Sequence, residues 1–287
     1  SVKGIVSLNN PNYKGSNRTL DASLESTVTD RLKNFGYKSN KTGFSIGSGF
    51  EFYEDLYWNT GISTYVEKLD TNSTASAGMK KQEGSYFDVF FNQTLKYDKR
   101  NQKYKTSDGY ISRFTQNIPL VSEGYTLTNA YDYKTYNTWL NENIFSFGIF
   151  VKATKSLTGE NVKLSDRLFL PSNKLRGFES GKVGPKDGAD YIGGNYAASV
   201  NIATTLPQIL PNLQNTNLSI FLDAANVWGV DYFRGDDEGG GDLRSSIGVA
   251  LDFFTPIGPL NFSLSEPITK GKNDITESFR FNIGTTF

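Results

Sequence analysis

The last nine residues of the chain alternate between apolar and polar side chains. One face carries Phe279, Phe281, Ile283, Thr285 and Phe287, and the other carries Arg280, Asn282, Gly284 and Thr286. A two-residue period is the signature of a β-strand with one apolar and one polar face. A strand of this kind, ending on an aromatic residue, suits the closing strand of a transmembrane β-barrel, whose aromatic side chains lie at the membrane interface.

The composition agrees with a barrel and argues against a helical membrane protein. Hydrophobic residues make up 37% of the chain, and the mean hydropathy is −0.44. No apolar run approaches the roughly 20 residues that a transmembrane helix needs. A barrel needs no such run, because only every second strand residue faces lipid. The 21 Phe and 16 Tyr against one Met also favour strands.

The residue types that are missing exclude several kinds of chemistry. The chain has no Cys and no His, which removes thiol nucleophiles, imidazole bases and the usual zinc ligands. No acidic cluster has the spacing of a metal site. The formal net charge of zero argues against electrostatic binding of nucleic acid. We therefore expect that the protein is not an enzyme and that it binds no cofactor, metal or nucleic acid.

Alternation recurs along the whole chain and predicts about thirteen strands. They fall near residues 2–9, 19–30, 43–53, 56–68, 86–98, 109–118, 125–138, 143–155, 195–206, 217–228, 245–255, 259–267 and 278–287. Small and polar residues on their second faces suit a hydrated lumen better than the core of a soluble β-sandwich, which needs two apolar inner faces. The predicted fold is all-β, an antiparallel transmembrane β-barrel over residues 1–287.

The connections and the strand count add two expectations. Short turns alternate with long polar stretches, the longest being 156–194, as expected for periplasmic turns and outer loops. An odd number of strands leaves an edge that lipid does not satisfy. We therefore expect that the amino-terminal part of the barrel lies upstream of Ser1.

The long loop carries the most specific motif. Residues 175–178 read Leu-Arg-Gly-Phe, and Gly-Pro-Lys at 184–186 and Gly-Gly-Asn at 193–195 follow. The tetrapeptide resembles the (V/L)-R-G-(F/Y) signature in the sixth outer loop of the outer-membrane assembly factor family, which includes BamA-like proteins and two-partner secretion transporters. Further similar segments are 9–13, 98–100, 221–228, 255–260 and 279–287, although Ala225 stands where the family usually has Gly.

The resemblance covers the whole chain and maps it onto strands four to sixteen of a sixteen-stranded barrel. It implies that the first three strands and the periplasmic POTRA domains are absent from this sequence. It also implies that the loop 156–194 folds into the lumen and that Arg176 contacts Asp223, which the alternation places on the polar face. Leu175, Gly177 and Phe178 complete the motif, with Gly177 allowing close approach to the wall and Phe178 acting as an apolar plug.

The resemblance further implies a function in the bacterial outer membrane. The chain would be the central barrel of a machine that folds and inserts β-barrel proteins through a lateral gate. The gate strand would contain Phe279, Phe281, Ile283, Gly284 and Phe287, with Gly284 either weakening the seam or leaving room for the loop. The partners would be the lipid bilayer, unfolded outer-membrane protein clients and accessory lipoproteins. A polypeptide-secreting transporter of the same family and a passive porin are the alternatives.

Overall fold

The protein is a thirteen-stranded antiparallel sheet with a small two-stranded sheet beside it. The computed structural model describes residues 2–103, 105–139, 143–206, 216–232, 241–255 and 258–283. Its strands are β1 Val2–Asn10, β2 Arg18–Arg31, β3 Tyr37–Tyr53, β4 Leu56–Thr71, β5 Gly84–Asp98, β6 Gly109–Val121, β7 Thr126–Trp139, β8 Asn143–Ser156, β9 Lys186–Asp187, β10 Asp190–Tyr191, β11 Tyr196–Thr205, β12 Thr216–Trp228, β13 Arg244–Thr255, β14 Gly258–Thr269 and β15 Phe279–Ile283. The thirteen predicted strands correspond to the thirteen strands of the large sheet, the last of which is described only as far as Ile283, whereas β9 and β10 were not predicted.

Each strand of the large sheet pairs with its neighbours along the chain, except that β8 pairs with β11 across the long loop. The small sheet, β9 with β10, lies within that loop. The helical segments are brief: α1 spans Leu32–Phe35, α2 spans Ala77–Lys80, and 3-10 turns cover Tyr13–Gly15 and Leu164–Asp166. In the part of the chain that the structure describes, no helix is long and apolar enough to cross a membrane.

The two faces of the sheet differ as the alternation predicts. On β12, Asp223 is fully buried while Leu222 beside it is 40% exposed. On β13, Ser246 is buried while Ile247 is exposed. The exposed face carries apolar side chains and the covered face carries polar or small ones. This distribution is the inverse of the one in a soluble protein. An apolar exposed face of this kind is a lipid-facing surface. We call it the outer face, and the opposite one the inner face.

Two residues that interrupt the alternation on β8 have a structural reason. Phe150 lies on the inner face, is 8% exposed, and packs in a cluster with apolar residues of the long loop. Ile144 lines a cavity on the same face. Both apolar side chains therefore lie on the inner face and do not contact lipid.

Gln93 interrupts the alternation in the opposite way, because it is a polar residue on the apolar outer face of β5. Its amide donates to Gln116 Oε1 at 2.8 Å, and Gln116 in turn donates to Asn129 Oδ1 at 2.7 Å. Hydrogen bonding between neighbours offsets the cost of placing polar groups among apolar ones. This amide ladder explains how β5, β6 and β7 tolerate polar residues on the outer face.

The sheet is strongly curved. One cavity on its inner face is lined by residues from β6, β7, β8 and β11 to β15, including Arg113 at one side and Asn282 at the other. A flat sheet would separate strands so far apart in its order by several multiples of the roughly 4.8 Å strand spacing. The inner faces of these strands therefore face one another, as in a barrel wall.

The connections lie alternately at two ends of the sheet. We call the end with connections 54–55 and 99–108 the turn end, and the end with 72–83, 157–195 and 270–278 the loop end. The predicted alternation of short and long connections has exceptions, since 99–108 is long for the turn end and 122–125 is short for the loop end.

Introducing a charge on the outer face of β12 should destabilise the protein. We expect Leu222→Arg to lower the free energy of unfolding in lipid vesicles by about 2–4 kcal/mol if the residue lies near the bilayer midplane, because lipid solvates a guanidinium poorly. The matched control is Ser219→Arg, on the same strand but lining the inner cavity, which should change the urea midpoint much less. Equal midpoints for the two variants would contradict the assignment of the faces.

Candidate functional site

The site is built around Arg176, which lies in the long loop, residues 156–194. Its Nε donates to Asp223 Oδ2 and its terminal nitrogen donates to Asp223 Oδ1, both at 2.7 Å. The backbone N–H of Arg176 adds a third bond to Oδ2 at 3.1 Å. The guanidinium carbon also lies 3.3 Å from the centroid of the Phe221 ring. A two-pronged ion pair of this kind fixes both the position and the orientation of the loop.

Neighbouring side chains complete the attachment. Asn201 of β11 donates to Asp223 Oδ1 at 2.8 Å and to the carbonyl of Lys174 at 2.9 Å. The Ser246 hydroxyl of β13 donates to the carbonyl of Arg176 at 2.5 Å. The buried carboxylate of Asp223 thus has its hydrogen-bonding capacity met by the loop and by the wall together, which a buried charge requires.

Gly177 and Phe178 bring the loop close to the wall. Gly177 has a φ of +88°, and a Cβ there would lie 3.1 Å from that of Ser246. A larger residue would be strained by both the backbone conformation and the wall. Phe178 is 1% exposed and lies in one cluster with Leu175, Phe150 and other apolar residues. The loop tip is therefore attached by an ion pair on one side and by apolar packing on the other.

The last described strand contributes a second attachment that the sequence did not predict. Arg280 of β15 donates to the carbonyl of Ser172 at 2.7 Å, before the motif, and to the carbonyl of Phe178 at 2.5 Å, the last residue of the motif. The same guanidinium binds Glu277 at 2.7 Å. Nearby, the backbone N–H of Glu277 donates to the carbonyl of Gly177 at 3.1 Å. The loop tip is thus bonded directly to β15, the strand that the family resemblance implies to be the gate strand.

Lys163 anchors the amino-terminal part of the long loop to the wall. Its ammonium lies 2.6 Å from Asp88 Oδ2 on β5 and 3.3 Å from Glu67 Oε2 on β4, with Asp166 Oδ2 at 3.7 Å. Burial opposes the charge of Lys163, but the surrounding carboxylates outweigh it and raise the pKa of the ammonium. Burial also raises the pKa of Asp166, against the attraction of Lys163.

Three further ion pairs fasten the loop end. Arg167 of the long loop binds Asp231 at 2.5 Å, and Lys174 binds Asp132 on β7 at 2.8 Å. The third pair, Arg244 with Asp274 at 2.7 Å, links β13 to the connection before β15 and is almost fully buried. Burial would raise the pKa of Asp231, yet Arg167 and two further hydrogen bonds lower it. The long loop and its neighbours therefore form a charged network attached to β4, β5, β7 and β12.

Of the predicted site residues, the structure brings together Leu175, Arg176, Gly177, Phe178 and Asp223. On β15, Phe279 and Phe281 are 55% and 45% exposed and lie on the outer face. The backbone of Ile283 pairs with Leu260 of β14. Gly284 and Phe287 lie outside the described residues. The contacts of Arg280 and Lys163 were missed. The sequence signal that could have indicated a buried cationic partner is Asp88, a carboxylate on the polar face of its strand between Phe87 and Val89.

The curved sheet, its apolar outer face and the loop attached to its inner face define a transmembrane β-barrel, and its similarity to outer-membrane assembly factors places it in the bacterial outer membrane. Comparison with known proteins gives the family: the Omp85 superfamily domain matches residues 3–287, and the chain belongs to that superfamily. A solved structure described as "The crystal structure of BamA from Haemophilus ducreyi lacking POTRA domains 1-3" superimposes with a TM-score of 0.82 at 22% identity. The superposition covers 97% of this chain and 61% of the Haemophilus ducreyi chain.

Two curated relatives carry the name "Outer membrane protein assembly factor BamA". The protein from Neorickettsia risticii (strain Illinois) is 23% identical over 257 residues, covering 88% of this chain and 34% of its own length. The protein from Neisseria meningitidis serogroup B is 32% identical over 139 residues, covering 39% of this chain and 17% of its own. This chain therefore spans about a third or less of the length of these relatives.

Proposed function

We propose that the chain is the central barrel of an outer-membrane protein assembly factor, which folds and inserts other β-barrel proteins through a lateral gate that includes β15. The observation that carries the proposal is the attachment of the long loop to Asp223 through Arg176, in a chain that matches the superfamily domain over residues 3–287. The names of the relatives support assembly as the activity.

The proposed activity needs no bond to be made or broken. An unfolded client strand in lipid has unpaired backbone groups, each of which costs several kcal/mol. A strand that adds to the edge of an existing sheet satisfies those groups at once. β15 would offer such an edge, so the barrel would lower the barrier to insertion rather than catalyse a chemical reaction.

The bonds of Arg280 support a role for the loop in this process. Because the guanidinium bonds to one carbonyl before the motif and to the carbonyl of its last residue, a client that displaces β15 would also strain the attachment of the loop tip. The partners of the intact protein would then be the lipid bilayer, unfolded barrel clients and accessory lipoproteins.

Cross-linking would test the gate directly. The chain has no cysteine, so single cysteines are unambiguous reporters in this region. We expect Phe281→Cys, on the outer face of β15, to form a disulfide with a cysteine in the terminal strand of a stalled client barrel. The control is Val249→Cys, on the outer face of β13, which pairs with β12 and β14 on its two sides. Equal cross-linking at both positions would refute the gate.

The two alternatives make different predictions in the same preparation. A secretion transporter would move the client into the vesicle lumen, where added protease would not reach it, whereas an insertase would leave it in the bilayer. A passive porin would give a large, steady conductance. The porin is disfavoured because the long loop is attached across the inner face by ion pairs to β5, β7 and β12.

A further inference from the structure

A cavity of about 440 Å³ lies on the inner face, between the long loop and the turn end of the sheet. Basic side chains dominate part of its lining. From the wall and the connection 99–108 come Arg100, Lys103, Lys105, Arg113 and Lys134, and from the long loop come Lys174 and Arg176. The carboxylates in the lining are Asp132 and Asp252. We call this cavity the basic chamber.

Carboxylates of the protein account for some of these cations but not for all. Arg176 binds Asp223 and Lys174 binds Asp132, as described above. Arg100 binds Asp98 at 2.8 Å. Asp132 lies directly opposite Arg113 in the strand register, but its carboxylate is bound to Lys174 of the loop. Among the described residues, Arg113 and Lys134 form no ion pair.

The register places further positive charge beside Arg113. Lys96 of β5 is its direct cross-strand partner. Like charges in directly opposed positions destabilise a sheet. The ammonium of Lys96 lies 4.8 Å from the centroid of the Tyr57 ring, which relieves part of the repulsion but supplies no counter-charge. An anion bound in the chamber beside Arg113 and Lys134 would relieve the rest.

The opposite side of the chamber is rich in amides and contains one carboxylate, Asp252 of β13, which accepts a hydrogen bond from Asn261 at 2.5 Å. It presents Asn217 of β12, Asn261 of β14 and Asn282 of β15, together with the hydroxyl of Ser219. Side-chain amides offer both donors and acceptors, which are the groups that a peptide backbone needs. One side therefore suits carboxylates and the other suits a main chain, a combination that fits a polypeptide better than a small inorganic anion.

Access to the chamber favours the same ligand. Lys103 and Lys105 lie in the connection 99–108 at the turn end, and both are exposed. The wall separates the chamber from the outer face, so the acyl chains of a bilayer lipid do not reach it. An extended polypeptide that enters from the turn end would reach the chamber.

From these observations we infer that the basic chamber binds an extended, acidic segment of polypeptide, held by Arg113 and Lys134 through its carboxylates and by the asparagines through its backbone. This inference is independent of the lateral gate. It depends on the inner face, whereas insertion at the gate depends on the edge of β15.

The test uses the intact protein in nanodiscs of zwitterionic lipid and a short fluorescent peptide of alternating Asp and Ser. Fluorescence anisotropy should show saturable, salt-sensitive binding, and the peptide with Asn in place of Asp should bind much more weakly. The double variant Arg113→Gln, Lys134→Gln should raise Kd by about tenfold or more, because it removes two charge-assisted contacts. The charge-conserving variant Arg113→Lys, Lys134→Arg should bind nearly as the parent does.

The matched control is Lys33→Gln, Lys81→Gln, which removes the same charge from exposed positions at the loop end and should leave Kd unchanged. Equal binding of the Asp and Asn peptides, or equal weakening by both double variants, would overturn the inference. Inorganic phosphate that displaced the peptide at equal concentration would identify a small-anion site instead and would also overturn it. The cross-linking experiment on β15 is unaffected by any of these outcomes, so the two proposals fail separately.

Discussion

Arg176→Ala should detach the tip of the long loop and lower the free energy of unfolding by about 3 kcal/mol, because it leaves the buried carboxylate of Asp223 without its cationic partner. Asp223 is fully buried, and the variant retains the donors Asn201 and the backbone N–H of residue 176. These remaining donors place the expected loss at the lower end of the range for a broken buried pair. The measurement is the urea midpoint of the intact protein in vesicles, together with protease cleavage within 156–194.

Two further variants separate charge from geometry. Arg176→Lys keeps the charge but loses the two-pronged contact, so it should recover only part of the stability. The charge-swapped pair, Arg176→Asp with Asp223→Arg, should restore more protection from protease than either single change. If Arg176→Ala leaves both the midpoint and the cleavage pattern unchanged, the ion pair does not hold the loop.

The strands were predictable from the sequence because a strand is indicated by the alternation of residues that are neighbours in the chain. A residue such as Leu222 or Asp223 is apolar or polar according to the face it occupies, and that alternation is visible without any knowledge of the fold. The interruptions could be seen but not explained: Phe150 breaks the pattern because a distant loop packs on it, and the sequence does not show which loop.

The attachments of the long loop were only partly predictable, because they join residues far apart in the chain. Arg176 and Asp223 were paired through a family resemblance and an inward position on a strand. Arg280 was placed on the correct face, yet its acceptors are backbone carbonyls, which have no sequence signature. The basic chamber was not visible either, since its cations come from several strands, one turn and the loop.

Lys163→Met should have the largest effect of any single change in the loop, about 3–5 kcal/mol, because it leaves two buried carboxylates without a cation. The side chains of Glu67 and Asp88 are 0% and 1% exposed. Each keeps one hydroxyl donor, Ser39 for Glu67 and Ser122 for Asp88, both at 2.5 Å. A hydroxyl bond does not replace an ammonium, so the loop should separate from β4 and β5.

The pH dependence of this variant follows from the same charges. In the parent, the pKa of Lys163 is raised, so its contribution is complete below the ordinary lysine pKa near 10.4 and is lost only at higher pH. Stability should therefore be insensitive to Lys163 between about pH 5 and 9. The difference in stability between the parent and Lys163→Met should be nearly constant over that range and should shrink as the pH rises above the raised pKa of Lys163.

A compensating change and an exposed control complete the test. Adding Asp88→Asn to Lys163→Met removes one of the two stranded charges and should recover much of the lost stability at neutral pH. Lys81→Met, at an exposed position near α2, removes the same charge without stranding a carboxylate and should leave the urea midpoint nearly unchanged. If Lys163→Met behaves like Lys81→Met at every pH, the buried cluster does not anchor the loop. The attachment would then depend on Arg176 and Arg280, at the end of the loop nearest the proposed gate.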